Sequence, residues 1–359
     1  MVEAFVKLIQ QNGGKLRADK FLQAHLMGPD GYYSKNVDFS RRDSRPVTPS
    51  VEWAGHAEKT AIAIFNLVDE TNCNAIMPED GKVKFVEIGG GGGQFKRALL
   101  EFERMHGLSG GFRLDYTSVE PSENQQKNQS AEGTKIQAGI AQATNLPNEY
   151  AHYLFDEEVI DCLAPRMFRA TVDEKVVRFN EEVFFIEKGG RLAVKLEPVE
   201  EDEKLAFFEK YANATRGCYE DGEIAYLSHD YWSYWEERKR VLHPKGASIS
   251  IDYGRAGESS MKNSLSSLTV ELFGKIMQKV ESSLDMLKPI IRNPGQVDFT
   301  HTIDFALQRE IADQVGFKSV IVSVSDLAQS YGIRMTTEEY LTLSSRFVML
   351  ATLKNERER

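Results

Sequence analysis

The sequence predicts an α/β protein built on a doubly wound, Rossmann-like parallel sheet. Apolar strand-like runs alternate with amphipathic helix-like segments, which is the rhythm of a parallel sheet covered by helices. Five consecutive glycines, residues 89–93, connect one such run to the helix that follows it. Acidic residues, Glu87 and Glu120, stand at the ends of two successive runs, and open sheets of this class bind ligands at the carboxyl ends of their strands.

The N-terminal part of the chain is predicted to be helical and then to form a loop. Apolar residues between positions 5 and 26 recur at helical spacing, and Gly13-Gly14 divides this segment into two helices. The polar stretch that follows has no sustained period, and a further helix is predicted over residues 52–68. We therefore expect residues 1–70 to form a helical and loop cap.

The next segments predict the first part of the sheet. The apolar run at 83–86 leads into the glycines, and the helix predicted over 94–104 repeats apolar residues at three and four positions, so it packs one face on the sheet. Further strands are predicted at 114–119 and 152–155. Residues 71–165 are thus expected to hold the first part of the core and its ligand site.

Residues 166–245 are predicted to be an insertion over the substrate site. Two extended runs, 183–186 and 192–194, flank Gly189-Gly190, a pattern typical of a β-hairpin. Helical patterns follow the hairpin.

Residues 246–359 are expected to complete the core and to contain a helical insertion. The elements predicted there are a strand at 248–251, helices at 268–287 and 303–315, and strands at 320–324 and 347–353.

Charge and cysteine content exclude several classes of function. The formal net charge of -10 opposes binding to nucleic acid and to anionic membranes, and the one basic cluster, Arg41, Arg42 and Arg45, is short. Three widely spaced cysteines support neither a disulfide framework nor a zinc site, so no metal is expected. No apolar run is long enough to span a membrane. These features favour a cytoplasmic location, with a mitochondrial one left open, and a homodimer is one arrangement that they allow.

The glycine loop distinguishes between cofactors. A dinucleotide loop of the form G-x-G-x-x-G is absent in every register, as is the Gly-Lys-Ser/Thr of a phosphate-binding loop. What is present is Glu87 followed by alternate glycines, Gly89, Gly91 and Gly93. S-adenosylmethionine has no pyrophosphate and carries a sulfonium cation, which a carboxylate at the strand end can serve. Glu120, at the end of the next strand, can accept hydrogen bonds from both ribose hydroxyls.

A purely structural interpretation stands beside this one. The glycines would then form a tight turn, and the two acids would be solvated residues at strand ends. Gly90 and Gly92 exceed what the alternating motif requires, which predicts a mobile loop before the cofactor binds.

Several segments together resemble the MidA-like S-adenosylmethionine-dependent methyltransferases, a family that includes the mitochondrial complex I assembly arginine methyltransferase. The similar segments, in family order, are residues 21–26, 31–33, 38–39, 47–49, 87–93, 119–122 with Gln129, 158–163, 251–254, 294–295 and 298–305. The chain departs from the family pattern at positions near the expected acceptor site. Glu157 stands where the family has asparagine and Thr302 where it has histidine, Ala164 is inserted before Pro165, and the glycine after the Thr-Pro loop is Gly55 in a shortened segment.

The resemblance implies a class I methyltransferase sheet and roles for specific residues. S-adenosylmethionine would be bound by Glu87, Gly89, Gly91, Gly93, Glu120 and Thr48. Glu158 and Asp161 are the candidate catalytic carboxylates, because a guanidinium acceptor requires acids to orient it. The residues expected to line the acceptor pocket are Arg41, Arg42 and Tyr253.

Alternative functions remain open at this point. The acceptor nucleophile is nitrogen or oxygen, and by resemblance it is a protein arginine. A small-molecule carboxylate or amine is the alternative, and the arginines at positions 41, 42 and 45 suit an anionic acceptor. A non-catalytic assembly or binding protein is a hypothesis from another class.

Overall fold

The computed structural model describes residues 2–35, 54–72, 78–122, 126–127, 129, 133–136, 146–215, 219–255, 267–272, 275–281, 284–301, 303–337 and 346–353. The helices are α1 Val2–Gln11, α2 Ala18–Met27, α3 Tyr32–Lys35, α4 Ala54–Thr71, α5 Gln94–His106, α6 Glu203–Ala214, α7 Asp230–Val241, α8 Lys288–Arg292, α9 Phe305–Val315 and α10 Val324–Ser330. The strands are β1 Lys15–Arg17, β2 Lys82–Ile88, β3 Arg113–Val119, β4 Thr134–Ile136, β5 Ala151–Glu157, β6 Arg166–Asp173, β7 Val176–Lys188, β8 Arg191–Pro198, β9 Ile224–Leu227, β10 Leu242–Arg255, β11 Ser267–Leu272, β12 Lys275–Glu281, β13 Val297–His301, β14 Ile303–Asp304, β15 Phe317–Ser323 and β16 Arg346–Leu353.

The chain divides into two compact units, each assembled from three stretches of sequence. The core unit comprises Asp38–Val159, Trp232–Ala256 and Gln308–Arg359. The second unit comprises Met1–Val37, Ile160–Tyr231 and Gly257–Leu307.

The core unit contains the predicted doubly wound sheet. Its strand order is β15-β16-β10-β5-β2-β3-β4. Strands β4, β3, β2, β5 and β10 are joined by parallel pairings. Strand β16 runs antiparallel to both of its neighbours, β10 and β15. The α/β fold class is confirmed, with the addition of this one reversed strand.

Aromatic packing joins helix α5 to the sheet. The apolar face of α5 buries Phe95 and Leu99, as its spacing predicts. The rings of Phe95 and Phe155 stack with their centroids 4.1 Å apart, and Phe85 lies beside both of them. Because α5 begins where the glycines end, this packing fixes the end of the glycine loop against the sheet.

The second unit contains an antiparallel sheet of strand order β1-β7-β6-β9, with β8 paired to the other side of β7. Strands β7 and β8 form the predicted hairpin, in which Lys188 pairs with Arg191 across Gly189-Gly190. Both glycines have positive φ, +60° and +78°, as a tight two-residue hairpin turn requires.

The prediction of a long helix over residues 268–287 is wrong. Strands β11 and β12 occupy most of this segment, and β13 pairs with the other side of β11. Leu268, Val270 and Leu272 alternate with polar residues, which is the period of a strand, and this local alternation prevails over the helical spacing seen across a longer window. Within the described part of this segment, only the short turn Leu284–Leu287 is helical.

The helices that the structure describes include none that is both long and apolar enough to cross a membrane.

Candidate cofactor site

The carboxyl ends of four neighbouring strands lie at the same level in the core sheet. Ile88 at the end of β2 pairs with Val119 of β3 and with Asp156 of β5, and Glu157 of β5 pairs with Ile251 of β10. The residues that directly follow Ile88, Val119, Glu157 and Ile251 therefore share one edge. They are Gly89, Glu120, Glu158 and Asp252.

The glycine loop alternates between two backbone conformations. Gly89, Gly91 and Gly93 have φ of +73°, +46° and +75°, a region that L side chains rarely adopt. These are the three glycines of the predicted motif. The N–H of Gly89 donates to the carbonyl of Val119 over 2.8 Å, which anchors the start of the loop to the neighbouring strand.

Gly90 lies outside the alternating motif and is required for a different reason. A Cβ at this position would overlap Ser118 Oγ and would lie 2.7 Å from Glu87 Oε2 and 3.1 Å from Gln129 Nε2. Three polar side chains thus approach the backbone at a point where only glycine fits. Glycine is therefore needed at position 90 because side chains pack closely beneath the loop.

Glu120 fastens the loop to the end of β3. Its Oε2 accepts the N–H of Gly91 over 2.8 Å, and its Oε1 accepts the N–H of Ser122 over 2.8 Å. Burial raises the pKa of Glu120 to about 7, although both backbone hydrogen bonds act in the opposite direction. An ionised carboxylate has lone pairs for further donors, so Glu120 can still accept ligand hydroxyls.

Glu87 is buried beneath the loop, with 4% of its surface exposed. Its Oε2 accepts a 2.6 Å hydrogen bond from the hydroxyl of Tyr116. Burial raises the pKa of Glu87 to about 7, with Glu157 and Glu120 adding to this effect and the Tyr116 hydrogen bond and Lys96 opposing it. The carboxyl of Glu87 therefore changes charge near neutral pH.

Replacing Glu87 by glutamine is expected to stabilise the protein at pH 8 by about 1 to 3 kcal/mol and to leave its stability at pH 4.5 almost unchanged. The pKa of Glu87 is about 7 in the folded chain against 4.5 ordinarily, so the cost of burying its charge grows as pH rises through that interval. Glutamine carries no charge and can still accept from Tyr116. Thermal unfolding at the two pH values measures the difference, with Glu101→Gln on the exposed face of α5 as the control. A stabilisation equal at both pH values would contradict the assignment.

The candidate catalytic acids fall in different units. Glu158 follows β5 in the core unit and has φ of +55°, while its N–H donates to the carbonyl of Ile251 over 2.8 Å. Asp161 is buried in the second unit, where its backbone interacts with the buried ring of His301. Tyr253 is partly buried near the end of β10, and its N–H donates to Asp252 Oδ1 over 2.7 Å.

Three predicted site residues, Thr48, Arg41 and Arg42, lie outside the described residues. Their assigned roles remain predictions.

Sequence reasoning assigned no role to the polar residues that support the loop from below, although Gln129 belongs to one of the family-like segments. Tyr116 holds Glu87, Ser118 approaches Gly90, and Gln129 Nε2 donates to the carbonyl of Gly91 over 2.9 Å. A signal for two of them was present, because residues at alternate positions of a strand share one face. Since β2 and β3 are parallel neighbours in which Glu87 pairs with Ser118, Tyr116 and Ser118 lie on the face that carries Glu87.

Two residues of family-like segments in the second unit, His25 and Asp304, accept hydrogen bonds from the backbone. His25 on α2 is fully buried, and its Nδ1 accepts the N–H of Gly295 over 2.9 Å. Asp304 accepts the N–H groups of Ala306 and Leu307 at the start of α9. Two segments distant in sequence, one around residue 25 and one around residue 295, are thus held together by a histidine with a structural role.

The chemistry of the core site fits S-adenosylmethionine better than a phosphorylated cofactor. Two buried acids would repel a pyrophosphate, whereas they suit a ligand with a sulfonium and an ammonium group. Glu87, Glu120 and the glycine loop are the residues that would hold the cofactor, which when bound supplies an electrophilic methyl group. The described part of the chain has no cluster of histidine, cysteine or acidic side chains that could hold a metal ion.

Comparisons with known proteins agree with this interpretation. Residues 60–323, more than half of the chain, match the family Methyltransf_28, "Putative S-adenosyl-L-methionine-dependent methyltransferase". A crystal structure of a Burkholderia thailandensis protein bound to S-adenosylhomocysteine is similar, with a TM-score of 0.71, 16% sequence identity and coverage of 98% of this chain and 91% of that one.

A second crystal structure, of an uncharacterised COG1565 superfamily protein from the same organism, has a similar fold. It has a TM-score of 0.68 and 15% identity, and the match covers 98% of this chain and 91% of that one. At these identities the likeness concerns the fold. A search of the curated proteins finds no match.

Proposed function

Since the chain belongs to the Methyltransf_28 family of S-adenosylmethionine-dependent methyltransferases, we propose that it methylates a cationic nitrogen acceptor, with a protein arginine as the first candidate. The likeness to the MidA-like methyltransferases supports arginine. The observation that carries the proposal is the acidic edge of the core sheet. Glu120 and Glu158 directly follow β3 and β5, and Glu87 and Asp252 lie near the carboxyl ends of the neighbouring strands β2 and β10.

Glu158 is the side chain best suited to orient such an acceptor. A residue other than glycine with positive φ is strained, and residues of this kind cluster at functional sites. The strained backbone of Glu158 is held by its hydrogen bond to Ile251 on the adjacent strand. A carboxylate carried on a backbone held in this way can hold a guanidinium by paired hydrogen bonds and keep its nucleophilic nitrogen aligned for in-line transfer. Asp161 is proposed as a further acid that acts on the acceptor.

A small-molecule acceptor is the second candidate. Arg41 and Arg42 supply the cationic groups that a carboxylate acceptor would need. The acidic sheet edge disfavours an anionic acceptor, because it would place like charges together.

Transfer of radiolabelled methyl groups to a cell lysate, separated into protein and small-molecule fractions, tests the proposal. We expect label in the protein fraction, recovered as methylarginine after hydrolysis. Glu158→Gln is expected to lower this labelling more than tenfold while leaving the affinity for S-adenosylhomocysteine unchanged.

The alternative outcomes are distinct. Label confined to small molecules would replace the arginine proposal with the second candidate. Normal labelling of arginine by Glu158→Gln would remove Glu158 from the acceptor site. If the protein binds S-adenosylhomocysteine but labels neither fraction, the proposal that it methylates a cationic acceptor of that lysate is overturned.

A further inference from the structure

The hydroxyl of Tyr116 is directed at the buried acid of the glycine-loop motif. Tyr116 lies on β3 and pairs with Phe85 of β2. Phe85 precedes Glu87 by two residues on that strand. Its ring is 2% exposed and stacks on Phe85, with the ring centroids 5.4 Å apart. The ring therefore has little freedom to move, and its hydroxyl is held 2.6 Å from Glu87 Oε2.

We infer that Tyr116 is a positioning residue for cofactor binding, holding the carboxylate of Glu87 in one orientation beneath the glycine loop for the cationic end of S-adenosylmethionine. This inference rests on the proposed role of Glu87. A carboxylate at the end of a strand has two free torsions beyond Cβ, and a buried hydrogen bond from a rigid ring selects one orientation. Selecting that orientation in the free protein lowers the entropy cost of binding.

Within the described residues, the ionisable groups that act on Glu87 come from β3 and the residue after it, from α5 and from β5. Tyr116 lies on β3, Lys96 on α5, Glu157 on β5 and Glu120 directly after β3. The ammonium of Lys96 also lies 5.6 Å from the centre of the Tyr116 ring. Burial raises the pKa of Tyr116 well above its ordinary value, so this group remains a hydrogen-bond donor at every pH of interest.

The Tyr116 hydrogen bond favours the ionised form of Glu87, which is the form that attracts a cation. Without it, Lys96 would be left to oppose the burial and the two neighbouring acids that raise the pKa of Glu87. Removal of the hydroxyl should raise that pKa further. Cofactor binding that needs ionised Glu87 would then require a higher pH.

Calorimetric titration of S-adenosylmethionine from pH 6 to pH 9, on the wild type and on Tyr116→Phe, tests the inference. We expect about tenfold weaker binding at pH 7, equivalent to about 1.4 kcal/mol, and an upward shift of the pH midpoint of binding. Tyr153→Phe is the matched control, because it removes another buried hydroxyl of the same sheet, which donates to Val68 over 3.1 Å. The control should lose stability but keep the wild-type midpoint.

Each result has a separate meaning. An unchanged affinity and midpoint in Tyr116→Phe would overturn the inference. Failure of Glu87→Gln to alter binding at any pH would remove the role of Glu87 on which the inference rests, and failure of the wild type to bind would overturn the cofactor site itself.

A second measurement avoids dependence on one variant. If Tyr116→Phe fails to fold, tyrosine labelled with carbon-13 at Cζ reports the same contact by NMR in the wild type. The Tyr116 signal should titrate with the pH midpoint of cofactor binding and should stop titrating in Glu87→Gln. A Tyr116 signal that does not respond to this titration would contradict the inference.

Discussion

Replacing Glu120 by alanine is expected to weaken S-adenosylmethionine binding by at least about 100-fold. The carboxylate joins the loop to β3, because its two oxygens accept the N–H groups of Gly91 and Ser122. Its remaining lone pairs can also accept the ribose hydroxyls of the cofactor, as proposed for this residue. A hydrogen bond to a charged group contributes about 1.5 to 3 kcal/mol. The alanine variant loses the ligand contacts and the loop anchor together, so it should lose more binding free energy than one such hydrogen bond supplies. Calorimetry at pH 8, where Glu120 is ionised in the wild type, measures the change.

Glu120→Gln separates the hydrogen-bonding role of Glu120 from its packing. Glutamine has nearly the same shape but only one acceptor oxygen, so its amide group would face either Gly91 N–H or Ser122 N–H as donor against donor. We expect its affinity to lie closer to that of the alanine variant than to the wild type. Glu101→Gln should bind normally. Wild-type affinity in Glu120→Ala, in a protein that circular dichroism shows to be folded, would move the ribose site elsewhere.

The strand, glycine loop and neighbouring acid at the proposed cofactor site could be predicted from sequence because their arrangement depends on backbone rules. Alternate glycines after a strand predict positive φ, and the structure has it at Gly89, Gly91 and Gly93. Acids that end successive parallel strands must share an edge, and the pairing of Ile88 with Val119 places Gly89 beside Glu120. Neither step requires knowledge of side-chain packing.

The interior beneath the loop could not be predicted in the same way. The need for glycine at position 90 depends on Ser118, Glu87 and Gln129, and Gln129 lies 39 residues further along the chain. The hydrogen bond between Tyr116 and Glu87 depends on the register of two strands, and a shift of one residue would place Tyr116 on the opposite face. The strained φ of Glu158 is likewise imposed by tertiary structure, since a glutamate does not favour it.

Replacing Arg238 by methionine is expected to destabilise the core unit by about 3 to 5 kcal/mol. Arg238 on α7 forms an ion pair with Asp156 on β5, and the two side chains are 1% and 0% exposed. The hydroxyls of Tyr234 and Ser250 also donate to Asp156, over about 3.0 Å. Methionine fills much of the volume but leaves a buried carboxylate without its cation. Two hydroxyl donors cannot replace a full charge in a medium of low dielectric constant.

The double variant Asp156→Asn, Arg238→Met identifies the source of that loss. An ion pair is costly to bury, so removing both charges should restore a large part of the stability that the single variant loses. Arg240→Met is the control on the same helix, because the pairing of Arg240 with Glu237 is partly exposed and contributes less. Urea unfolding compares the midpoints of the three variants. If the double variant were less stable than Arg238→Met, the loss would come from packing of the arginine stem against Tyr234, over whose ring its guanidinium lies. If the double variant recovers stability, the loss is due to charge. The ion pair then also holds the end of β5 in place, because Asp156 lies on this strand two residues before the proposed acceptor carboxylate of Glu158.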